Sequence, residues 1–330
     1  MLKIQRILIT KTPAAFFVRL SKKWSPPGFE GIKLFDAVKF LFSQLKTHGF
    51  TERAAAISYN LIMAIPPSLL FLFTLIPNLP FISKKSLKTQ LHTSITDIIP
   101  AREYNKGVIS FVDSFLDDSR IGLLSFGLIL SLFFASNAMM GIIRTFNRKY
   151  VGFEKINGLQ KRWRAIKLTM LIFSLLLIYL VLLIMQGAVL KTIVVDKSWQ
   201  NFIKYFRWGM IVALLFLIIG FIFKYAPAVS KRWKLISPGS VLTTFLCIIA
   251  SVGFAAFVGS FGRYNALYGS IGTIMMVMAL IFINSLALLI GFELNVSIRS
   301  LKAAALQKEM EAKHAAEAAG KNRPDDSPFK

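Results

Sequence analysis

The feature that most constrains this chain is a set of long apolar stretches without a charged residue. Crossing the ~30 Å hydrocarbon core of a bilayer takes a helix of about 20 apolar residues. Five stretches have this length without interruption: Ala54 to Ser83, Ile121 to Ile143, Leu168 to Leu190, Leu235 to Gly262 and Tyr264 to Phe292. A sixth stretch, Trp208 to Phe223, reaches that length if Arg207 and Lys224 extend their charged groups to the two interfaces.

Composition agrees with membrane insertion, since 55% of the 330 residues are hydrophobic and 17% are charged. Soluble domains average about 25% charged residues. The sequence therefore predicts an all-α, polytopic helical bundle of about six transmembrane helices, formed by residues 54–298. The predicted spans are about 54–78, 121–143, 167–190, 207–226, 238–262 and 270–294.

The net charge of +24 is explained by where the basic residues lie, so a nucleic-acid partner is not expected. Residues 1–53, 144–167, 224–237 and 295–330 hold 29 of the 40 Lys and Arg. The alternating connections hold the other 11. By the positive-inside rule both termini are cytoplasmic, and an even number of spans requires termini on the same side.

The segments outside the spans have their own patterns. Residues 1–31 are predicted to be a basic cytoplasmic arm, and 32–48 an amphipathic helix on the inner leaflet. Residues 82–120 carry two helical patterns around Pro100 and are predicted to form an external helical cap. Residues 299–330 are predicted to be a cytoplasmic helix with a disordered end.

The first span contains Tyr59 and Asn60 and then Pro66-Pro67 near its centre. Proline lacks a backbone donor and clashes with the preceding turn, so the pair predicts a broken or sharply kinked helix. Two interpretations stay open. The break lines a substrate path, as in some transporters, or it is a static kink packed against neighbouring helices.

The second span ends in a ladder of Asn137, Gly141, Arg144 and Arg148 on one helical face. The preferred interpretation is that the two arginines are positive-inside anchors. The alternative is that they bind anionic lipid headgroups or a substrate phosphate, because a planar guanidinium can donate two hydrogen bonds to such a group.

The fifth span carries small residues at every fourth position, Ser251, Ala255 and Gly259, which lead to Arg263 and Tyr264 in an outer loop. Small residues at this spacing let another helix approach closely. Helix packing is the preferred interpretation, and a pore lining is the alternative.

The last span contains Asn284 and, near its cytoplasmic end, Glu293 and Asn295. A lone carboxylate in hydrocarbon is costly, so Glu293 is predicted to pair with an arginine of the second span. Arg144 is the first candidate and Arg148 the second. A structural ion pair is preferred over a proton relay.

No catalytic constellation is visible. His48, His92 and His314 are isolated, and the single cysteine, Cys247, lies within a span. No metal-ligand spacing, phosphate-binding loop or nucleophile elbow is present. The sequence therefore predicts a protein that is not an enzyme, with no catalytic residue, metal or cofactor.

The polar landmarks, taken in order over about residues 40–300, resemble the YihY/virulence factor BrkB family of membrane proteins, formerly labelled ribonuclease BN. In the N-terminal half the resemblance lies in Arg53 to Tyr59 with Pro66-Pro67, Asn147-x-x-Tyr150 and Arg162-Trp163. In the C-terminal half it lies in Tyr225-x-Pro227, Trp233, Pro238-Gly239, Phe261-Gly262-x-Tyr264, Tyr268-Gly269-Ser270-x-Gly272 and Gly291-x-Glu293-x-Asn295.

The resemblance implies a six-helix protein of the bacterial inner membrane that is linked to envelope integrity and lipid movement. The leading hypothesis is a transporter-like or flippase-like protein whose partners are membrane lipids, with anionic phospholipid favoured. The alternative is a non-transporting scaffold that binds envelope-assembly proteins. A membrane-bound ribonuclease is the third hypothesis. It ranks last because the residues that would hold zinc and activate water are missing from this sequence. The oligomeric state is left open.

Overall fold

In a computed structural model of the chain, the described residues are 19–47, 49–75, 121–147, 150, 153–193, 197–229, 232–260 and 262–321, together with 88–89, 92, 109–110 and 113. In this part of the chain the backbone is helical apart from turns and one isolated bridge between Phe153 and Val229. The principal helices are α1 (Leu34–Thr47), α2 (Phe50–Leu75), α3 (Ile121–Phe146), α4 (Gly158–Ile193), α5 (Lys197–Tyr225), α6 (Pro238–Ser260) and α7 (Gly262–Lys321).

Helices α2 to α7 form a ring in which each helix packs against the next, and α7 returns to α2. Helix α1 packs mainly on α7. The bridge between Phe153 and Val229 joins the connections 147–157 and 226–237, so the two connections lie at the same end of the ring. This end is called the basic end below, because the Lys-rich and Arg-rich connections lie there.

The predicted membrane bundle is confirmed. Five helices within the described residues are long and apolar enough to span a bilayer. The remaining predicted span, 167–190, lies in α4, where most side chains beyond Tyr179 are not described. The count of six and the orientation of the termini stay predictions. The five spans are Phe50–Phe71, Ser125–Phe146, Trp208–Tyr225, Pro238–Phe257 and the apolar part of Ile274–His314.

Helix α2 continues through Pro66-Pro67, so the predicted break is not an interruption of the helix. Proline removes two backbone donors, but its fixed φ is close to the helical value. The other hydrogen bonds of this 26-residue helix maintain its course. The hydroxyl of Ser68 also donates to the carbonyl oxygen of Ala64, at 2.7 Å.

Helix α7 is longer than predicted, since the last span and the cytoplasmic helix form one helix of 60 residues. No glycine or proline occurs between Phe292 and Ala319, and therefore nothing in the sequence ends the helix where it leaves the apolar span. Arg263, predicted to lie in a loop, is in the first turn of α7.

Several predicted segments fall wholly or partly outside the described residues. They include residues 1–18 of the basic arm, the tail 322–330 and most of the cap 82–120. Within the cap segment, Asp113 lies between His92 and Lys88. Its Oδ1 is 2.7 Å from His92 Nε2 and 3.3 Å from Lys88 Nζ, so the two halves of this connection touch.

Candidate functional site

A buried ion pair joins the two most distant helices of the ring in sequence. Arg53 Nη1 lies 2.6 Å from Glu293 Oε1, and the two residues are only 2% and 1% exposed. Arg53 also donates from Nη2 to the carbonyl oxygen of Thr145 at 3.3 Å. That carbonyl belongs to the last turn of α3, where unpaired carbonyls and the helix dipole favour a cation. Arg53 thus connects α2, α3 and α7.

Tyr150, in the connection after α3, completes the cluster. Its hydroxyl donates to the same oxygen, Glu293 Oε1, at 2.6 Å. Burial, followed by the negative charge of Glu293, raises the pKa of Tyr150 well above its ordinary value of 10.0. The phenol therefore stays protonated at physiological pH and acts as a hydrogen-bond donor to the carboxylate.

Glu293 is held inside the bundle by an arginine, but the first predicted partner, Arg144, is wrong. Arg144 is exposed on α3, whereas Arg53 fills the position beside the carboxylate. Arg53 lies at the N-terminal edge of the first span, where a basic residue is normally an anchor. Arg53 and Glu293 are 240 residues apart in sequence, so no local sequence pattern indicates that they are in contact. Only the family motif that begins at Arg53 singled it out.

An aromatic cluster next to the ion pair fills the centre of the basic end. Phe292 stacks on Phe146 with ring centroids 3.8 Å apart. Trp233 lies 5.6 Å from Phe292, and the rings of Tyr150, Phe153 and Phe223 follow at 6.0, 6.4 and 6.4 Å. These rings come from α3, α5, α7 and both basic connections. We call them the aromatic plug.

The contact between α6 and α7 at this end is close enough to exclude any side chain. A Cβ on Gly291 would lie 2.5 Å from the carbonyl oxygen of Gly239, and one on Gly239 would lie 2.6 Å from Cγ of Asn295. Asn295 Oδ1 accepts a hydrogen bond from the Gly239 amide at 2.9 Å. Its Nδ2 donates to Ser237 Oγ at 3.0 Å. Asn295, a predicted site residue, therefore caps the start of α6.

The two basic connections are tied to each other through Asn147. Its Nδ2 donates to the carbonyl oxygens of Ile143 and Ala226, at 2.8 and 2.9 Å. Its Oδ1 accepts from the amide of Ala228. The predicted site residue Asn137 has a partner nearby, since Arg162 Nη1 donates to its Oδ1 at 2.6 Å. Sequence reasoning found Asn147 and Arg162 only as family motifs.

Other predicted site residues lie away from this cluster. Tyr59 is exposed, and Asn60 donates to the Ala56 carbonyl of its own helix at 2.7 Å. Asn60 also faces Gly141, where a Cβ would lie 2.8 Å from its Nδ2. Asn284 similarly bonds within its helix, to Leu280. Pro66 is exposed and Pro67 buried.

The predicted packing stripe on α6 stays a prediction, although two of its members are not buried by another helix of this chain. Ser251 and Ala255 are exposed, and the close approach to α7 occurs at Gly239 instead. Arg148 lies outside the described residues. The burial of Gly259 and the side chains of Arg263 and Tyr264 are not described either.

The chemistry available at the site is electrostatic and steric. Among the described residues, no group of three or more His, Cys, Asp and Glu could hold a metal ion. The Nε of Arg53 and the Oε2 of Glu293 have no hydrogen-bond partner within the described part of the chain. The ion pair and the aromatic plug together join α2, α3, α5 and α7 at the basic end of the ring.

Comparison with known proteins gives one family. The model of the family described as virulence factor BrkB matches residues 41–316. The ribonuclease-like protein YfkH of Bacillus subtilis (strain 168) is 29% identical over 269 residues, which cover 80% of this chain and 96% of the relative. No solved structure matches.

Two relatives named UPF0761 membrane proteins are more distant. The protein of Tolumonas auensis is 23% identical over 255 residues, which cover 74% of this chain and 79% of the relative. The protein of Xanthomonas campestris pv. campestris (strain B100) is 21% identical over 272 residues. Those residues cover 80% of this chain and 61% of that relative.

Proposed function

The chain belongs to the virulence factor BrkB family of multi-pass membrane proteins, and from this premise we propose that it is a transporter-like or flippase-like protein that moves phospholipid in the bacterial inner membrane. Anionic phospholipid is the proposed substrate, and envelope integrity is the proposed physiological role. We also propose that both termini are cytoplasmic, because the terminal segments and the connections 144–167 and 224–237 hold most of the Lys and Arg of the sequence.

One observation carries this proposal: a buried ion pair and packed aromatic side chains join the helices at the basic end, and we infer that they close the bundle there. A bundle that only filled the membrane would not need an ion pair inside it, because a buried ionisable residue is costly in hydrocarbon. Arg53 and Glu293 come from two helices that meet at the closed end. Alternating access requires such a closure, formed by contacts between helices that can separate.

The direct test uses purified protein in vesicles that contain a fluorescent phosphatidylglycerol. Dithionite destroys the fluorophore in the outer leaflet, so lipid that crosses the bilayer becomes accessible to it. We expect the protein to increase the accessible fraction above that of protein-free vesicles. Pro66→Leu combined with Pro67→Leu restores two backbone donors in α2. We expect this variant to insert normally and to move less lipid.

A negative result would favour the alternative, a non-transporting scaffold for envelope assembly. In that case folded, correctly inserted protein leaves lipid movement at the protein-free rate. The ribonuclease-like name of the Bacillus subtilis relative suggests a third activity. Metal-dependent cleavage of RNA by the purified chain would support that activity and contradict our inference that the protein is not an enzyme.

The orientation is tested separately by cysteine labelling. A cysteine placed at Lys155 or Lys313 should stay unmodified when an impermeant reagent is added to intact cells. It should react after the membrane is opened. Modification in intact cells would place the basic end outside and reverse the proposed topology.

A further inference from the structure

A cavity of about 510 Å³ lies outside the ion-pair cluster, between the start of α6, the part of α7 after Asn295 and the turn at Gly28. We call it the basic pocket. Pockets that hold small ligands usually have volumes of about 300–1,000 Å³, so this one is large enough for a headgroup. Its charged and aromatic lining residues are Glu30, Arg232, Trp233, Lys234, Arg299 and Lys302.

The charge of the lining favours an anion. Four cationic side chains face one carboxylate, that of Glu30, which lies 2.6 Å from Lys302 Nζ. Arg232 also lies over the ring of Tyr225, with its guanidinium carbon 5.4 Å from the centroid. The lining therefore carries more positive than negative charge, and arginine and lysine both bind phosphate.

The backbone at the start of α6 does not supply the anion contacts. The amide of Ser240 donates to Ser237 Oγ at 3.2 Å, and the amide of Gly239 donates to Asn295. Ser237 and Ser240 form a reciprocal cap, because the amide of Ser237 also donates to Ser240 Oγ at 2.9 Å. Recognition of a ligand would thus rest on the cationic side chains.

The position of the pocket favours a lipid over a free anion. The apolar span of α6 begins at Pro238, which is itself part of the lining. The pocket therefore lies at the basic end of this span, and we infer that this is the depth of the phospholipid phosphates. Ile236 in the same lining is 72% exposed, and Trp233, also in the lining, lies three residues before it in sequence. Tryptophan is enriched at this interface, and an exposed isoleucine can contact an acyl chain.

We propose that the basic pocket binds the phosphate-bearing headgroup of an anionic phospholipid, with Arg232, Lys234, Arg299 and Lys302 as its ligands and Ile236 against the acyl chain. This assignment deepens the proposed function, since it places a binding site for the lipid on the cytoplasmic leaflet. Binding can be measured without translocation. The two proposals can therefore fail separately.

The experiment uses the purified full-length chain in a neutral detergent and counts retained lipid by native mass spectrometry. Short-chain phosphatidylglycerol, short-chain phosphatidylcholine and inorganic phosphate are the probes. We expect phosphatidylglycerol to bind more tightly than phosphatidylcholine. Arg232→Gln combined with Lys234→Gln should weaken phosphatidylglycerol binding about tenfold, since two charge-assisted contacts are removed.

Two further variants change the charge differently. Lys234→Gln alone removes an exposed charge without disturbing the Arg232–Tyr225 contact, and should give a smaller loss. Glu30→Gln removes the carboxylate that competes for Lys302, and should tighten binding. The matched control is Lys155→Gln combined with Lys308→Gln, which removes two exposed charges outside the pocket.

Each result decides the assignment. Selective loss in the pocket variants, with unchanged binding in the control, supports it. An equal loss in both double variants, no loss in either, or unchanged affinity in Glu30→Gln overturns it. Displacement of the lipid by an equal concentration of inorganic phosphate would overturn the lipid source and leave phosphate as the ligand. If pocket binding is intact but vesicles show no lipid movement, only the transport proposal fails.

Discussion

Helices α6 and α7 lie side by side, and the two halves of this pair are packed in different ways. At the basic end, Gly239 and Gly291 bring the two backbones into contact, and Asn295 bonds across the interface. Towards the opposite end, Val252 and Ile274 are 64% and 60% exposed, and a Cβ on Gly253 would meet nothing within 4 Å.

This difference shows that an apolar helix surface does not by itself produce close packing between helices. In lipid an apolar side chain gains little by leaving the acyl chains, so burial does not drive two apolar helices together. Close packing comes instead from small residues and polar contacts. In α6 and α7 both are found at the basic end, where the ion pair and the aromatic plug also lie.

The strongest test of this comparison is to remove the ion pair, for which we expect the largest effect. Glu293→Gln or Arg53→Gln leaves one buried charge without its partner, and we expect each to lower the free energy of unfolding by about 3–5 kcal/mol. Because the two residues contact each other, the double variant should lose less than the sum of the single losses. Unfolding by heat or denaturant in detergent measures these changes.

The matched control is the exposed pair of Glu309 and Lys313 on the same helix, whose atoms are 3.1 Å apart. Glu309→Gln should have almost no effect, since exposed ion pairs are screened by water and salt. Similar losses at Glu293 and Glu309, or additive losses at Arg53 and Glu293, would contradict the buried pair.

The glycines test the steric part of the comparison. Gly291→Ala places a methyl group against backbone, so the two helices must separate, and overpacking of this kind costs about 1–3 kcal/mol. Gly253→Ala places the same group in open space, and better helix propensity should stabilise that helix by up to about 1 kcal/mol. Thermal unfolding of the two variants should therefore shift in opposite directions. Equal shifts would mean that the two halves do not differ in packing.

Tyr150→Phe removes only the hydroxyl that donates to Glu293 and keeps the ring in the aromatic plug. We expect a loss of about 1.5–3 kcal/mol in unfolding free energy, because the acceptor is charged. Tyr59→Phe serves as the control, since Tyr59 is 60% exposed. A neutral result for Tyr150→Phe would show that the carboxylate is sufficiently satisfied by Arg53.

The smallest effect is expected in the connection between α2 and α3, where the interacting side chains are only half-buried. Burial raises the pKa of Asp113, but hydrogen bonds from His92 and Lys88 outweigh this, and the pKa lies below its ordinary value of 3.8. A lowered carboxyl pKa stabilises the contact above the ordinary pKa, and this stabilisation is lost as the pH falls through the lowered value.

Spin labels at Thr89 and Ser110 measure that contact. The distance between them should stay constant from neutral pH down to the ordinary carboxyl pKa and increase at more acidic pH. Asp113→Asn should give the longer distance at every pH. A distance that changes near neutral pH would assign the contact to another group.

The helices were predictable because each depends on residues close in sequence. Runs without charge mark α2, α3, α5, α6 and the apolar part of α7, since crossing hydrocarbon needs only length and hydrophobicity. The length of α7 was missed although no glycine or proline occurs between Phe292 and Ala319. The change from an apolar to a charged composition was taken as a boundary, but composition alone does not end a helix.

The candidate site was only partly predictable, because it depends on which helices are neighbours. Glu293 was identified by its cost in hydrocarbon, and an arginine partner followed from that cost. Nothing in one sequence distinguishes Arg53 from Arg144 as that partner. Similarly, the glycines at 239 and 291 are ordinary span residues until their helices are seen in contact.

Because α7 is unbroken, its part beyond Glu293 moves as a rigid lever when the helix tilts. From Glu293 to Lys321 the helix extends about 42 Å at 1.5 Å per residue. A tilt of about 10° at the ion pair would therefore sweep the far end through about 7 Å, by the same rise per residue. A small tilt within the membrane thus becomes a larger displacement at the far end of α7. A pair of fluorophores, one near Lys321 and one near Trp24, could measure that displacement.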